Sequence, residues 1–130
     1  MIEVIFKSAL FVFIAHTYLY WQHRALHYFF PKMHALHHKW KYKTVFHWGE
    51  QTLNWAIFPI GRLIGFSTNE MLLVLIWSII FVFTSHREKK SKKKSWIFMT
   101  SLAHEAHHDT YNKNYGVLLT LWDRLMGTYA

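Results

Sequence analysis

The chain has 130 residues, 52% of them apolar and 19% aromatic, with 15 basic against 7 acidic side chains and a net charge of +8. This length fits one domain. The absence of cysteine excludes disulfide scaffolds, thiolate zinc sites and cysteine nucleophiles, so any metal must be held by nitrogen or oxygen, and 11 histidines are on offer.

A mean hydropathy of +0.03 hides two populations: strongly apolar runs, and loops crowded with Lys and His. Residues 8–22 carry no formal charge, and the apolar character starts earlier, at Ile2, with Glu3 and Lys7 close to the beginning. Residues 2–21 approach the ~20 needed to span a bilayer. No small-residue cleavage site follows, which sets the segment apart from a secretory signal. Instead "HRALH" follows at once, and Pro31 then biases Phe30 away from helical geometry. The first helix is therefore predicted to end around "HRALH" and a second to begin with "MHALHHKW". Residues 53–66, "LNWAIFPIGRLIGF", are apolar but interrupted by Pro59 and Arg62. Ser67 and Glu70 then stand at capping-box spacing, a helix-start signal. The uncharged run 71–84 follows and ends at Ser85 and His86. In the last third "HEAHH" is predicted helical, "DTYNKNYG" is rich in turn formers, and "VLLTLWDRLMG" reads as a short amphipathic helix.

Nine of the basic residues lie in two stretches: Lys39, Lys41 and Lys43, then Arg87, Lys89, Lys90, Lys92, Lys93 and Lys94. Each stretch begins where an apolar run ends. A nucleic-acid binder is often this basic, but positive loops flanking apolar helices fit the positive-inside pattern better, so no nucleic-acid partner is expected. The expected fold is all-α: an integral membrane helical bundle of about three apolar segments, one of them a hairpin, with a cytosolic helical cap. Along the single domain this divides into a membrane helix (1–22), a His-rich cytosolic segment (23–50), a membrane hairpin (51–86) and a cytosolic segment (87–130). This parity puts every dense histidine group on one, cytosolic, side. A soluble helical protein with a very apolar core is the alternative, because no single run is decisively long.

Three histidine clusters carry the chemistry: His23 and His27 in "HRALH"; His34, His37 and His38 in "HALHH"; His104, His107 and His108 in "HEAHH". On a helix, i and i+4 lie about 40° apart and i and i+3 about 60° apart on the other side, so each cluster aims its rings into an arc of about 100°. Neutral imidazole suits Fe, Zn, Cu and Ni. Eight imidazoles exceed the needs of one ion and suit two ions sharing a site. A lone "HxxxH" is usually a solvated pair, but three such sets buried without metal would strand many polar atoms.

With these motifs, "YWQHRALH", "HALHH", "HEAHH" and the closing "NYGVLLTLWDRLMGT", the chain resembles the fatty acid hydroxylase / sterol desaturase superfamily of membrane di-iron enzymes, in the family's order from about Tyr18 to Thr128. The resemblance implies a cytosolic His-ligated centre of two Fe ions that uses O₂ and two external electrons to hydroxylate or desaturate an unactivated C–H bond of a lipid. It implies His23, His27, His34, His37, His38, His104, His107 and His108 as ligands, with His86 a ninth. Asn114, Tyr115, Gly116, Trp122, Asp123, Gly127 and Thr128 match the closing motif and are expected to pack and to support the ligands from behind. No side chain beyond the ligands is expected to be catalytic.

Three departures stand out. His16 occupies a place, seven before His23, where the family commonly has an acidic residue. Since 16, 20, 23 and 27 share a helix face, His16 either faces the metals and substrate or is a buried histidine with its hydrogen bonds satisfied. His47, in "VFHWGE", matches a supporting position outside the ligand set. The chain also shows about three apolar segments where the family has four, which leaves an external N-terminus, a truncated start or a helix from another subunit of an oligomer. No flavin or nicotinamide glycine fingerprint occurs, so a separate protein is expected to donate electrons. Imidazole sites also bind zinc well, so zinc in purified material would not count against iron. Two rivals remain: the same fold with other metal chemistry, such as aldehyde deformylation or zinc hydrolysis (although "HEAHH" lacks the zinc-protease "HExxH" spacing), and a non-enzymatic or degenerate membrane metal-binding scaffold.

Overall fold

The computed structural model describes residues 1–40, 45–84 and 95–130, and within them the backbone alone at Trp40, Val45, Phe46, His47, Thr84 and Ser101. His86 and the side chain of His47 lie outside the described residues, as do the basic side chains at 41, 43 and 87–94. Seven helices occur among the described residues: α1 (Ile2–Phe29), α2 (Pro31–Trp40), α3 (Val45–Trp55), α4 (Ile57–Leu63), α5 (Thr68–Thr84), α6 (Ser101–Asp109) and α7 (Leu121–Leu125). Among the described residues the chain is thus all-α as expected, with one isolated β-bridge between Phe98 and Leu119.

α1 is long and apolar enough to cross a membrane, and α5 is a shorter apolar helix. At 28 residues, α1 is about 42 Å long. It buries Ser8, Phe11, Ala15, Leu19 and His23 along one stripe, as a period of 3.6 requires. The stripe packs chiefly against α5. Phe11, Ala15, Leu19, Ile57, Phe66, Met71 and Val74 make the main core with Leu118, and Phe11 lies 5.1 Å from Phe66, ring to ring. The far sides of both helices are equally apolar and open, with Phe6 67% and Leu73 60% exposed. A helix that is hydrophobic all round belongs in a protein core or a bilayer.

α1 and α5 run in the same direction. Lys7 Nζ near the start of α1 is 3.9 Å from Glu70 at the start of α5, and His23 and Phe81 line one cavity at the other end. The capping box forms as expected: Ser67 N–H donates to Glu70 Oε2 at 2.7 Å and Glu70 N–H to Ser67 Oγ at 3.4 Å. Gly65, at φ +97°, makes the left-handed turn that precedes it. α4 approaches α1 so closely that a Cβ on Gly61 would stand 2.6 Å from the Phe11 ring.

Three local features differ from the sequence reading. The apolar stretch 53–66 breaks at Ala56, between α3 and α4, and not at Pro59. Pro59 falls in the first turn of α4, where its missing N–H has no intrahelical partner to lose. The expected helix over "VLLTLWDRLMG" shrinks to five residues. Before it the chain is extended: Met99 N–H donates to Leu118 O at 3.0 Å and Thr120 N–H to Ile97 O at 2.9 Å. Period 2 outcompeted period 3.6 here, since Leu118 and Thr120 are buried while Val117 and Leu119 are only partly so. The composition boundaries at 22/23 and 50/51 also fall inside α1 and α3, so they mark changes of residue type and not of element.

Candidate metal centre

Three helices converge at one end of the bundle. α1 presents His23 and His27 from its last two turns, α2 presents His34, His37 and His38, and α6 presents His104, His107 and His108. Pro31, at the first position of α2, turns the chain so that α2 folds back beside the end of α1. Thr100 Oγ1 caps α6 by accepting from Ala103 N–H at 3.3 Å.

The eight imidazoles form two groups, each with ligand atoms within 4.8 Å of one another: His23, His27, His34, His38 and His107; and His37, His104 and His108. The "HxxHH" boxes do not act as units. Box two gives its i and i+4 residues (His34, His38) to the first group, where box three's i+3 residue His107 joins them. Box three gives its i and i+4 residues (His104, His108) to the second, where box two's i+3 residue His37 joins them. The arc of about 100° on each helix is divided between two neighbouring cages, and the His38 and His108 rings lie 4.4 Å apart across the division.

Three of the nitrogens that face away from the cages are held by acceptors. His23 Nδ1 is 2.8 Å from Tyr115 O, His107 Nδ1 is 2.6 Å from Lys113 O, and His34 Nδ1 is 2.7 Å from Glu50 Oε1. Carbonyl and carboxylate oxygens only accept, so each Nδ1 is the donor and each neutral ring is left with a lone pair on Nε2. Those Nε2 atoms point inward. His23 and His34 oppose each other at 3.1 Å, His27 and His107 at 3.2 Å, and His104 and His108 at 3.1 Å. For His23 and His34, both of which donate through Nδ1, the two Nε2 lone pairs face each other at this distance and repel unless a cation sits against both. Nitrogens that share one ion at ~2.1 Å with ordinary coordination angles stand roughly 3.0–3.4 Å apart. His38, also buried, has neither ring nitrogen hydrogen-bonded among the described residues. The donor set therefore fits metal ions of the imidazole-binding kind.

Burial, with neighbouring imidazoles adding to it, holds the His38 and His107 rings neutral, down to about 2 and about 3. The unfolded chain takes up these protons near pH 6.5, while the folded chain refuses them until about pH 3, so it is the unfolded state that gains as pH falls. The stability of the metal-free chain is expected to be flat above pH ~6.5. Below that it is expected to fall by up to about 1.4 kcal/mol per pH unit for His107 alone, until about pH 3. Thermal unfolding of chelator-stripped protein across pH 8 to 4 reads this directly, and a flat profile would contradict it.

Glu50 was not singled out by sequence. It sits on α3 with Oε1 on His34 and Oε2 3.6 Å from His37 Nδ1, and so touches one ligand of each cage. Glu50→Gln is expected to weaken metal retention about 10–100-fold, measured by competition with a chelator; wild-type retention would remove this role from Glu50.

The closing motif builds a scaffold behind His23. Asp123, fully buried, accepts from Tyr115 N–H at 2.8 Å, Gly116 N–H at 2.7 Å and Thr128 Oγ1 at 2.8 Å. Burial pushes its carboxyl above the usual range, while the hydroxyl and the two N–H groups pull the other way. Asn114 takes a left-handed φ of 53° and donates to Ala103 O of α6 at 3.1 Å. Trp122 Nε1 donates to Thr17 Oγ1 on α1 at 2.9 Å. His16 is in neither cage. It is fully buried in the middle of α1, and neither ring nitrogen has a hydrogen-bond partner among the described residues.

The family model described as Fatty acid hydroxylase matches residues 8–128 of the chain. Lathosterol oxidase of Homo sapiens is 30% identical over 144 residues, covering 99% of this chain and 46% of that protein. Delta(7)-sterol 5(6)-desaturases of Schizosaccharomyces pombe and Leptosphaeria maculans are each 32% identical, over 92% and 90% of this chain and 42% and 35% of their own. The chain spans less than half the length of these relatives. No solved structure matches it.

Proposed function

The chain belongs to the fatty acid hydroxylase family, and from that premise we propose that it is a membrane oxidoreductase that hydroxylates or desaturates a C–H bond of a lipid at two iron ions. The observation that carries this reading is the pair of imidazole cages, with their Nε2 atoms turned inward at 3.1–3.2 Å. His23, His27, His34, His38 and His107 would hold one ion; His37, His104 and His108 the other, with His86 as a further ligand outside the described residues. Iron bound there would supply the O₂-dependent oxidation of an unreactive C–H bond, drawing two electrons from a separate donor protein.

The chain's own residues do the rest. The Tyr115 and Lys113 carbonyls and the Glu50 carboxylate fix ring orientation and leave the inner nitrogens unprotonated. Phe81, with its ring 5.2 Å from that of His104, walls the cages off from water on the bundle side. In this reading α1 crosses the bilayer, the α4–α5 hairpin returns to the same face, and the cages lie at the cytosolic edge, within reach of an acidic electron donor through the basic loops.

Lipid extracts of cells with and without the protein, compared by mass spectrometry, test the reading. New species shifted by about +16 or about −2 mass units, for one oxygen gained or two hydrogens lost, are expected, and His38→Ala or His107→Ala is expected to abolish them. A product that persists in both variants would refute the metal assignment; purified protein that binds metal but changes no lipid in any host would leave a metal-binding scaffold.

A further inference from the structure

The middle of α1 is covered by the end of the chain. Trp122 of α7 donates Nε1 to Thr17 Oγ1 at 2.9 Å, and its ring lies 6.4 Å from that of Phe13 and 6.2 Å from that of Trp21. Leu118 joins Phe11, Ala15 and Leu19 in the main core. Phe98 rests against α5, its ring 5.3 Å from that of Trp77. Residues 95–99 and 117–126, joined at the bridge between Phe98 and Leu119, therefore lie beside α1 at the height of residues 11–21. With residues 2–21 of α1 in the hydrocarbon, Thr17 stands about 6 Å and Phe13 about 12 Å inside the boundary at Trp21.

The outward side of these segments is apolar. Trp96 is 75% and Leu125 65% exposed, and Ile97, Phe98, Leu121 and Met126 are exposed beside them. So many large apolar side chains on one short stretch mark a surface that meets something other than water. Both charges here are tied down. Asp123 is fully buried; the Arg124 guanidinium lies 4.0 Å from the centre of the Tyr129 ring, and its Nε donates to Trp96 O at 3.1 Å.

Non-helical backbone is tolerated at membrane depth only where the protein itself pairs its polar groups. Side chains and the neighbouring segment supply such pairing here. Ser95 Oγ accepts from Ile97 N–H at 3.3 Å and Phe98 N–H at 3.0 Å. Met99 N–H donates to Leu118 O, and Thr120 N–H to Ile97 O. Trp96 O accepts from the Thr120 hydroxyl at 2.6 Å as well as from Arg124. In sequence the run 87–94, with six basic residues against one acidic, ends next to Ser95. Such a run is drawn to anionic headgroups beside an inserted apolar segment.

We infer that residues 95–99 and 117–126 form a wedge set into the cytosolic leaflet, touching lipid acyl chains with Trp96, Ile97, Leu121 and Leu125. The wedge is then no part of the water-facing cap expected of residues 87–130. The inference rests on the reading that α1 crosses the bilayer, and it names a second surface held by the same membrane. α7 carries Asp123, which anchors the peptide whose carbonyl orients His23. His23 lies about 9 Å farther along α1 than Thr17, so the wedge sets the depth at which the cages stand.

The chain has no cysteine, so single-cysteine variants carry one fluorophore each. Ile97→Cys and Leu125→Cys report on the wedge, Leu10→Cys on the open side of α1 and Asn112→Cys on the exposed turn after α6. The full chain, labelled with bimane, is placed in nanodiscs of mixed phosphatidylcholine and phosphatidylglycerol. It is quenched by iodide from the water or by nitroxides on the acyl chains. Bimane at residues 97 and 125 is expected to be quenched by the acyl-chain nitroxides, as at residue 10. Its iodide quenching constant is expected to be about fivefold or more below that at residue 112, because an anion stays out of hydrocarbon. Iodide quenching at either wedge residue equal to that at residue 112 would overturn the inference. Shielding from iodide without nitroxide quenching would also overturn it, and would assign the surface to a second copy of the chain. The two wedge residues come from different segments, so if one variant fails to fold, judged by its melting, the other decides. Water at residues 97 and 125 with lipid at residue 10 sinks this inference alone; water at residue 10 sinks the crossing of α1 and the wedge with it.

Discussion

Alanine at His37 is expected to reduce the chain from about two bound metal ions to about one and to cut lipid oxidation by at least about 100-fold. Removing a partner that only orients a ligand already costs 10–100-fold, and losing the ligand costs more. The cages give the expectation its particular form. His37 follows His34 by one turn, yet it sits with His104 and His108, while His34 sits with His23, His27, His38 and His107. His37→Ala would leave the three-histidine cage with two described nitrogens and the five-histidine cage untouched. His34→Ala would act on the other ion and leave that cage four nitrogens, so it is expected to retain more metal. Metal analysis of the two variants, with the lipid product measured in the same cells, separates this arrangement from one in which each "HxxHH" box binds its own ion. In the latter case the two substitutions would empty the same site to the same extent. Two ions retained in His37→Ala would remove it from the ligand set.

The histidine spacing made the donor faces legible, because i, i+3 and i+4 fix direction on any helix. Their division into 5 + 3 was not legible, since it depends on how α2 and α6 lie against each other, which neither segment encodes alone. Helix starts with a local chemical cause could be read directly: Pro31 opens α2, and Ser67 with Glu70 opens α5. Glu50 could not. It is one acidic residue among several, and its role arises from α3 packing against α2. Lys113 and Tyr115 act through backbone carbonyls, which every residue type carries, so no residue-level signal could mark them. Val117–Leu119 misled for a related reason. An apolar run of four or five residues is compatible with either period, and the extended partner at 97–99 decided the outcome.

The closing motif carries the second large effect. Asp123→Asn keeps the volume of the side chain but puts an amide donor where one carboxylate oxygen stood. Whichever way it turns, a donor then faces either Gly116 N–H or the Tyr115 N–H and Thr128 hydroxyl pair, all of which donate to Asp123 at 2.7–2.8 Å. A buried donor left unpaired, together with a lost charge-assisted bond, costs about 2–4 kcal/mol. That is roughly a 10 °C fall in the melting temperature of a chain this size. The damage is expected to reach the metal centre because the peptide that Asp123 anchors is the one whose carbonyl orients His23. Metal affinity should therefore fall with stability in Asp123→Asn, whereas a purely structural lesion elsewhere, such as one in the Phe11 core, should lower stability alone. Gly116→Ala strikes the same anchor from the other side. Its Cβ would stand 2.5 Å from Leu119 O and 2.7 Å from Asp123 Oδ2, neither of which has room to yield. It is expected to reproduce both effects. Wild-type melting and wild-type metal retention in Asp123→Asn would show that the closing motif packs the chain end and does not hold His23. A loss of stability with metal retention intact would place Asp123 in the fold alone.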